Sequence, residues 1–281
     1  CNSRRKPEWL KIKLPKGQSS TEVLNIVRKH NLHTICTSGM CPNQGECWGN
    51  RTATFMIGGD VCTRSCKFCN VKTGRPAPLD PAEPENIANS VKLLGLKHAV
   101  ITSVDRDDLA DLGAAHWVKV IEAVKRVNPG TTMEVLIPDF QGRRELVQQV
   151  IDARPEVISH NLETVRELSD GVRSRAKYDI SLQVIRQVSE SGIVSKSGIM
   201  LGLGETREQI LQTMDDLLAV GCKVMTIGQY LQPSEANLEV KEYVTPETFQ
   251  EYERIGLEKG FRYVESGPLV RSSYHAEKHV R

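Results

Sequence analysis

The sequence has no long apolar run, and none of its stretches approaches the ~20 apolar residues that a membrane-crossing helix needs. It has little net charge. Its 37 Lys and Arg against 35 Asp and Glu leave +2, so no broad field draws it to nucleic acid. A local basic patch for an acidic protein partner remains compatible with that balance. The basic start, Cys1-Asn2-Ser3-Arg4-Arg5-Lys6, has no apolar stretch behind it, so a secretory leader is not expected. Low-complexity segments are missing too, and so are repeats beyond an alternation of strand-like and helix-like stretches. What remains is 281 residues of ordinary globular composition, enough for one large α/β unit.

Against that plain background the eight cysteines stand out, and six of them fall between residues 36 and 69. With no secretory leader expected, such clustering points to metal binding or catalysis rather than to a disulfide framework. The stretch up to about Asn50 reads as an appendage with one helix, Thr21 to His30, and a loop rich in Gly, Pro and Asn. From Ala53 onward, short apolar runs begin at Thr54, Ala99, Met133, Val157, Ser197 and Val224. Helix-like segments near 84–94, 114–127, 142–152, 178–191 and 206–220 lie between them. Six strands separated by helices predict a parallel sheet, either a barrel or an open doubly wound sheet. In both, chemistry gathers at the C-terminal ends of the strands. The tail from Thr245 predicts a helix at 246–259 and a short strand at 262–265.

Cys62, Cys66 and Cys69 form a C-x3-C-x2-C array just after the first strand. Three thiolates this close suit three corners of a cubane iron–sulfur cluster and leave the fourth iron open. A zinc knuckle would need a fourth ligand, and the first histidine downstream is His98. An open iron can chelate the amino and carboxylate groups of a methionine moiety. With Phe68 before the last cysteine, the array resembles the radical S-adenosylmethionine superfamily. That resemblance implies a partial (β/α)6 TIM-like barrel, a four-iron four-sulfur cluster, and reductive cleavage of S-adenosylmethionine to a 5′-deoxyadenosyl radical.

A second triplet, Cys36, Cys41 and Cys47, lies upstream with spacing C-x4-C-x5-C. Alone it would fit a metal site, a structural zinc or free thiols. The two triplets followed by the terminal Arg271-Ser272-Ser273-Tyr274 resemble the lipoyl synthase family. So do Gly74-Arg75-Pro76, the run from Thr102 to Leu109, His160-Asn161-Leu162-Glu163-Thr164, and the run from Lys196 to Glu205. The resemblance covers nearly the whole chain. It implies that the upstream triplet holds an auxiliary four-iron four-sulfur cluster with Ser273 as fourth ligand. It further implies insertion of two sulfur atoms at carbons 6 and 8 of a protein-bound octanoyl-lysine, the auxiliary cluster being the consumed sulfur source. The implied partners are octanoylated lipoyl carrier domains, of 2-oxoacid dehydrogenase E2 or glycine cleavage H protein, and an electron donor such as ferredoxin or flavodoxin. Nucleic acid and membrane partners are not expected; a cytoplasmic monomer, or one in an organelle interior, is. Other radical sulfur-inserting enzymes and a two-cluster electron carrier are the alternatives.

Several residues are candidates for holding S-adenosylmethionine. Asn161 and Glu163 follow the fourth strand, with helix capping as their plainer role. Gly198, Gly202 and Glu205 fit a G-x-x-x-G-x-x-E pattern facing adenine, or simply a strand-to-helix loop. The superfamily's Gly-Gly-Glu after the second strand is replaced by Ser103-Val104-Asp105, leaving Ser103 as the candidate for the methionyl amine. The domain expectation is an extension at 1–50, a barrel at 51–244, and a C-terminal segment at 245–281 closing on the auxiliary cluster.

Overall fold

The computed structural model describes residues 6–10, 25, 33–38, 41, 43 and 54–280, with only the backbone of Cys36. Cys47 and, except for Asn25, the expected helix at 21–30 lie outside the described residues.

Every apolar run becomes a strand. His33–Thr34 (β1) and Thr54–Ile57 (β2) are followed by a short pair, Val61–Cys62 (β3) and Lys72–Thr73 (β4). Then come His98–Ser103 (β5), Thr132–Leu136 (β6), Val157–Ser159 (β7), Val194–Leu201 (β8), Val224–Gln229 (β9) and Tyr263–Gly267 (β10). The main sheet runs β1-β2-β5-β6-β7-β8-β9-β10. All its pairings are parallel except β1 with β2. Chain order never reverses along the parallel strands, so the doubly wound alternative, which needs a switch point, is not what forms. β2 and β5–β9 are the six strands of the partial barrel, and β10, from the tail, extends it by one.

Parallel neighbours need crossovers, and helices supply them. Ile35–Ser38 (α1) precedes the barrel; Glu83–Leu94 (α2), Ala114–Val127 (α3), Arg144–Asp152 (α4), Arg166–Val172 (α5), Tyr178–Glu190 (α6), Arg207–Ala219 (α7) and Pro246–Lys259 (α8) belong to it. Of the barrel's helices, only α5 goes unread in the sequence, because seven residues give too little periodicity. Local chemistry sets several ends. Thr206 and Gln209 form a reciprocal capping box on α7. Thr245 caps α8 with Pro246 in its first turn. Gly95 closes α2 in the left-handed conformation.

Alternate strand residues face the helices. Phe55, Ile57, Ile101 and Val135 pack with Trp117, Val120 and Ile121 in one half. Ile199, Leu201, Met225 and Ile227 pack with Met214, Leu217 and Phe249 in the other. The opposite strand face turns into the barrel and carries buried polar residues, among them Thr102, Glu134, Lys196 and Thr226.

His160, just after β7, is buried and neutral. Its Nδ1 donates to the Ile137 carbonyl at 2.9 Å, and its Nε2 accepts from Ser181 Oγ at 2.8 Å. Ser181 Oγ in turn accepts from Arg173 at 2.9 Å. Burial, then the Arg173 charge, push its pKa from 6.5 down to about 4. The unfolded chain therefore binds this proton more readily than the folded one. The stability contributed is whole above pH 6.5 and is lost as pH falls from 6.5 toward 4, by up to about 3 kcal/mol. A urea midpoint that is flat above pH 7 and falls steeply below 6.5 is expected, and the fall should be shallower in His160→Asn. A wild-type profile flat down to pH 4.5 would contradict this.

Candidate active site

The first cysteine loop is tied at its base by strand pairing. Val61 pairs with Lys72 and Cys62 with Thr73, and Gly74 N–H donates to the Cys62 carbonyl at 2.9 Å. The loop in between sits beside the C-terminal ends of the barrel strands. Lys67 N–H reaches Val172 O at 2.9 Å, and Asn237 Nδ2 donates to Cys69 O at 3.0 Å. Cys62 Sγ accepts from the backbone N–H of Arg64 at 3.4 Å and of Asp105 at 3.3 Å. Cys69 Sγ accepts from Val71 N–H at 3.5 Å, and Cys66 Sγ lies 3.6 Å from Ser174 Oγ.

These residues fit a thiolate-held cluster. Hydrogen bonds to sulfur stabilise ligating thiolates and set cluster potential. As bare thiols they resist ionisation: burial and then Asp105 push Cys62 up to about 12, and burial pushes Cys69 up to about 11. A coordinating metal reverses that by supplying positive charge. Cys69 acts on Cys62 and Cys66 acts on Cys69, so the three thiols share one neighbourhood. Among the described residues, no three His, Cys, Asp or Glu side chains converge on a single-ion site. A cubane asks for less, since it spreads its thiolates over separate irons.

Arg64, inside the loop, is the anchor that sequence reasoning missed. Its guanidinium is bidentate on Asp107 at 2.8 and 2.9 Å and reaches Asp139 at 2.8 Å. Asp105 completes the ring of carboxylates at 3.3 Å. Burial opposes ionisation of Asp107, but the bonds from Arg64 and Gln141 outweigh it and hold Asp107 well below the usual carboxylate range. Burial wins at Asp105, which is pushed up to about 6 despite Arg64. The visible signal was the acidic run after β5, Asp105 to Asp108, at a strand end where charge is unusual. Arg64→Met would leave Asp139 buried without its counter-charge and Asp107 with only Arg175 at 3.5 Å, a loss of about 3 kcal/mol. Thermal unfolding of the cluster-free chain checks this, and an unchanged midpoint would contradict it.

The barrel mouth gathers most of the remaining candidates. Glu163 takes a left-handed backbone (φ 67), unusual for a non-glycine residue. Its N–H donates to Gly198 O and its carbonyl accepts from Met200 N–H, both at 2.9 Å, so it lies alongside β8. Burial pushes its carboxyl up, against the pull of Arg173 and Asn161. Asn161 Oδ1 is buried and has no hydrogen-bond partner among the described residues. An acceptor left open in this way invites a donor from a bound molecule. Gly198 lies below it; a Cβ there would stand 3.2 Å from Asn161 Oδ1 and 2.3 Å from Thr226 Oγ1. Gly202 and Glu205 form a loop closed on itself: the Glu205 carboxylate accepts from Gly202 N–H at 2.5 Å and Leu203 N–H at 3.0 Å. Ser103 ends β5 opposite Ile57 of β2 and is half-buried. Arg173, which sequence reasoning did not single out, lies where Glu163, Asp139 and Cys66 all act on its charge.

The second triplet meets the tail. Asn43 Nδ2 donates to Leu269 O at 2.6 Å, and Cys41 lies close enough to half-buried Arg271 to act on its guanidinium. Tyr274 N–H closes a turn onto Arg271 O at 2.9 Å, with Ser272 and Ser273 at its centre. The side chain of Cys36, like Cys47, lies outside the described residues. Cys222 is buried in the helix-side core, its Sγ 3.3 Å from Val224 O.

The radical SAM superfamily model matches residues 56–217. A lipoyl synthase of Treponema denticola is 70% identical over 100% of this chain and 96% of its own length. One of Parabacteroides distasonis is 64% identical over 98% of both. Among solved structures, methylornithine synthase PylB (TM-score 0.60, 15% identity, 89% of this chain and 75% of that one) shares the fold. So does the hydrogenase maturase HydG (TM-score 0.61, 15% identity, 87% and 62%). A three-thiol loop at a partial barrel's mouth, a second cysteine segment held against the tail, and identity along the full length agree: the chain belongs to the lipoyl synthase family of the radical SAM superfamily.

Proposed function

We infer that the chain builds lipoyl groups, replacing one hydrogen with sulfur at each of carbons 6 and 8 of an octanoyl-lysine carried by a protein. Its cofactors are S-adenosylmethionine and four-iron four-sulfur clusters. When bound, the first cluster supplies the electron that breaks a carbon–sulfur bond of S-adenosylmethionine, once per sulfur inserted. The second cluster is a substrate, and its sulfide ends in the product. The observation that carries this reading is the meeting of Cys41 and Asn43 with Leu269 and Arg271.

The roles assigned here join the family resemblance to what the described residues offer. Cys62, Cys66 and Cys69 hold the first cluster, in a loop that Arg64 pins to two strand ends. Asn161 Oδ1 accepts a hydrogen bond from a ribose hydroxyl or the ammonium of S-adenosylmethionine, with Glu163 beside it. Ser103 is the second contact for the amine. Gly198 keeps the floor of that pocket open, and Gly202 with Glu205 shapes the loop on the adenine side. Cys36, Cys41, Cys47 and Ser273 hold the second cluster. Residues 1–50 then serve as the extension carrying that cluster's cysteines, 51–244 as the catalytic barrel, and 245–281 as the segment that closes on it. Carrier domains of 2-oxoacid dehydrogenase E2 components or glycine cleavage H protein are the fitting substrates, and ferredoxin or flavodoxin the fitting reductant. No helix among the described residues is long and apolar enough to cross a membrane. Free thiols and oxygen-sensitive clusters suit the cytoplasm, and a monomer is the default assembly.

The test is anaerobic reconstitution followed by an octanoylated lipoyl-domain peptide with S-adenosylmethionine and dithionite. The expected result is a peptide carrying two added sulfurs. Formation of 5′-deoxyadenosine with an unmodified peptide would point to another radical sulfur inserter. Formation of neither would leave an electron carrier.

A further inference from the structure

The last turn of the chain sits at the end of the barrel away from the mouth. The short 3-10 helix Ala276–Val280 packs against β5 and β6. Its His279 is fully buried. The ring Nδ1 accepts from Lys196 Nζ at 3.2 Å, and the same ammonium donates to Glu134 Oε2 at 2.9 Å. Lys196 and Glu134 have no solvent exposure, and both side chains point into the barrel. The ring also rests 5.6 Å from the Tyr263 ring, with Nε2 3.8 Å from Glu265 Oε1. Burial and then the Lys196 charge keep the imidazole neutral, with a pKa of about 3, so Nδ1 is free to accept.

An ion pair deep in a protein repays its desolvation only when its remaining donors find partners. Lys196 has three N–H donors, and Glu134 takes one. His279 takes a second, so the tail supplies the pair with an acceptor it would otherwise lack, while Glu134 Oε1 and His279 Nε2 have no hydrogen-bond partner among the described residues. Neither the first-cluster loop nor the mouth residues require this cluster of groups. What it does is fix the far end of the tail. The near end is fixed as well. Leu269 O is held by Asn43 at 2.6 Å, and Val270 is pressed so closely on β9 that a Cβ at Gly228 would lie 2.2 Å from its carbonyl. The Arg271–Tyr274 turn is therefore suspended between two anchors.

A serine oxygen is a hard donor on a soft iron–sulfur site, so its affinity as a ligand is low. Such a ligand stays bound only if its effective concentration is high, and anchoring the chain on both sides provides that. We propose that His279 is a positioning residue, which docks the tail on the buried Lys196–Glu134 pair and thereby holds Ser273 in place at the second cluster. The proposal rests on the reading of Ser273 as that cluster's fourth ligand.

The test uses full-length His279→Ala, His279→Asn and Ser273→Ala chains. Amide exchange across 268–280 is followed first in the cluster-free protein. His279→Ala should speed exchange at 271–276 by about tenfold or more, the equivalent of one lost charged hydrogen bond, with the α2–α4 core unchanged. His279→Asn keeps an acceptor near the Nδ1 position and should restore most of the protection. After reconstitution, His279→Ala should lose the iron and the spectroscopic signature of the second cluster, as Ser273→Ala does, while still forming 5′-deoxyadenosine. Unchanged tail exchange in His279→Ala, or faster exchange with the second cluster's iron at the parental level, overturns the proposal. A Ser273→Ala chain that keeps its second cluster overturns the ligand reading instead. The exchange data would then still report whether His279 anchors the tail.

Discussion

Cys62→Ala ends 5′-deoxyadenosine formation, with S-adenosylmethionine breaking down no faster than in buffer. The expectation follows from how little redundancy the first loop has. On this reading three thiolates serve one cluster and the fourth iron must stay open for the methionine moiety, so the loop has no spare ligand. Cys62 is also the thiol with the most backbone support, from the N–H groups of Arg64 and Asp105. The fold should survive, because the loop is held by Arg64 on Asp107 and Asp139 and by the β3–β4 pairing rather than by Cys62 itself. Reconstituted Cys62→Ala, assayed by liquid chromatography for 5′-deoxyadenosine, should give none while its urea midpoint stays near that of the parent. Cleavage at the parental rate would remove the cysteine loop from the reaction.

Cys41→Ala should separate the two halves of the chemistry. Cys41 lies against the tail near Arg271 and takes no part in the loop that holds the first cluster. The variant should therefore still convert S-adenosylmethionine to 5′-deoxyadenosine, within a few-fold of the parental rate. It should add no sulfur to an octanoylated peptide. Each cleavage would then be unproductive, and hydrogen lost from the octanoyl chain would not be replaced by sulfur. Full sulfur insertion by Cys41→Ala would show that the upstream triplet is not the donor's holder.

Much of this architecture is legible in the sequence, for physical reasons that differ from part to part. Strands buried on both faces read as apolar runs, which is why all six barrel strands are visible in order. Glu134 and Lys196 break their runs with charge, and the sequence offers no way to see that they do so as a pair. Their partnership spans 62 positions and needs the barrel to close before it exists. The Arg64 clamp is hidden for the same reason, since Asp107 and Asp139 come from the ends of different strands, 43 and 75 positions away. The first triplet is self-announcing because its three cysteines are close in sequence. For the second, spacing supplies only the cysteines. Ser273 enters through family resemblance; the structure adds that Asn43 bonds Leu269 and that Cys41 acts on Arg271, two residues before it. Gly202 and Glu205 mark the opposite case: a pattern that reads as an adenine contact is also a loop whose glutamate caps its own backbone.

The central claim is that one cluster makes the radical and the other is spent as sulfur. The most direct measurement is the mass of the lipoyl peptide made in one turnover by protein reconstituted with ³⁴S-labelled sulfide and assayed in unlabelled buffer. Two heavy sulfurs in the product, with loss of the second cluster's iron, are predicted. A product carrying only unlabelled sulfur, with both clusters intact, would contradict the account.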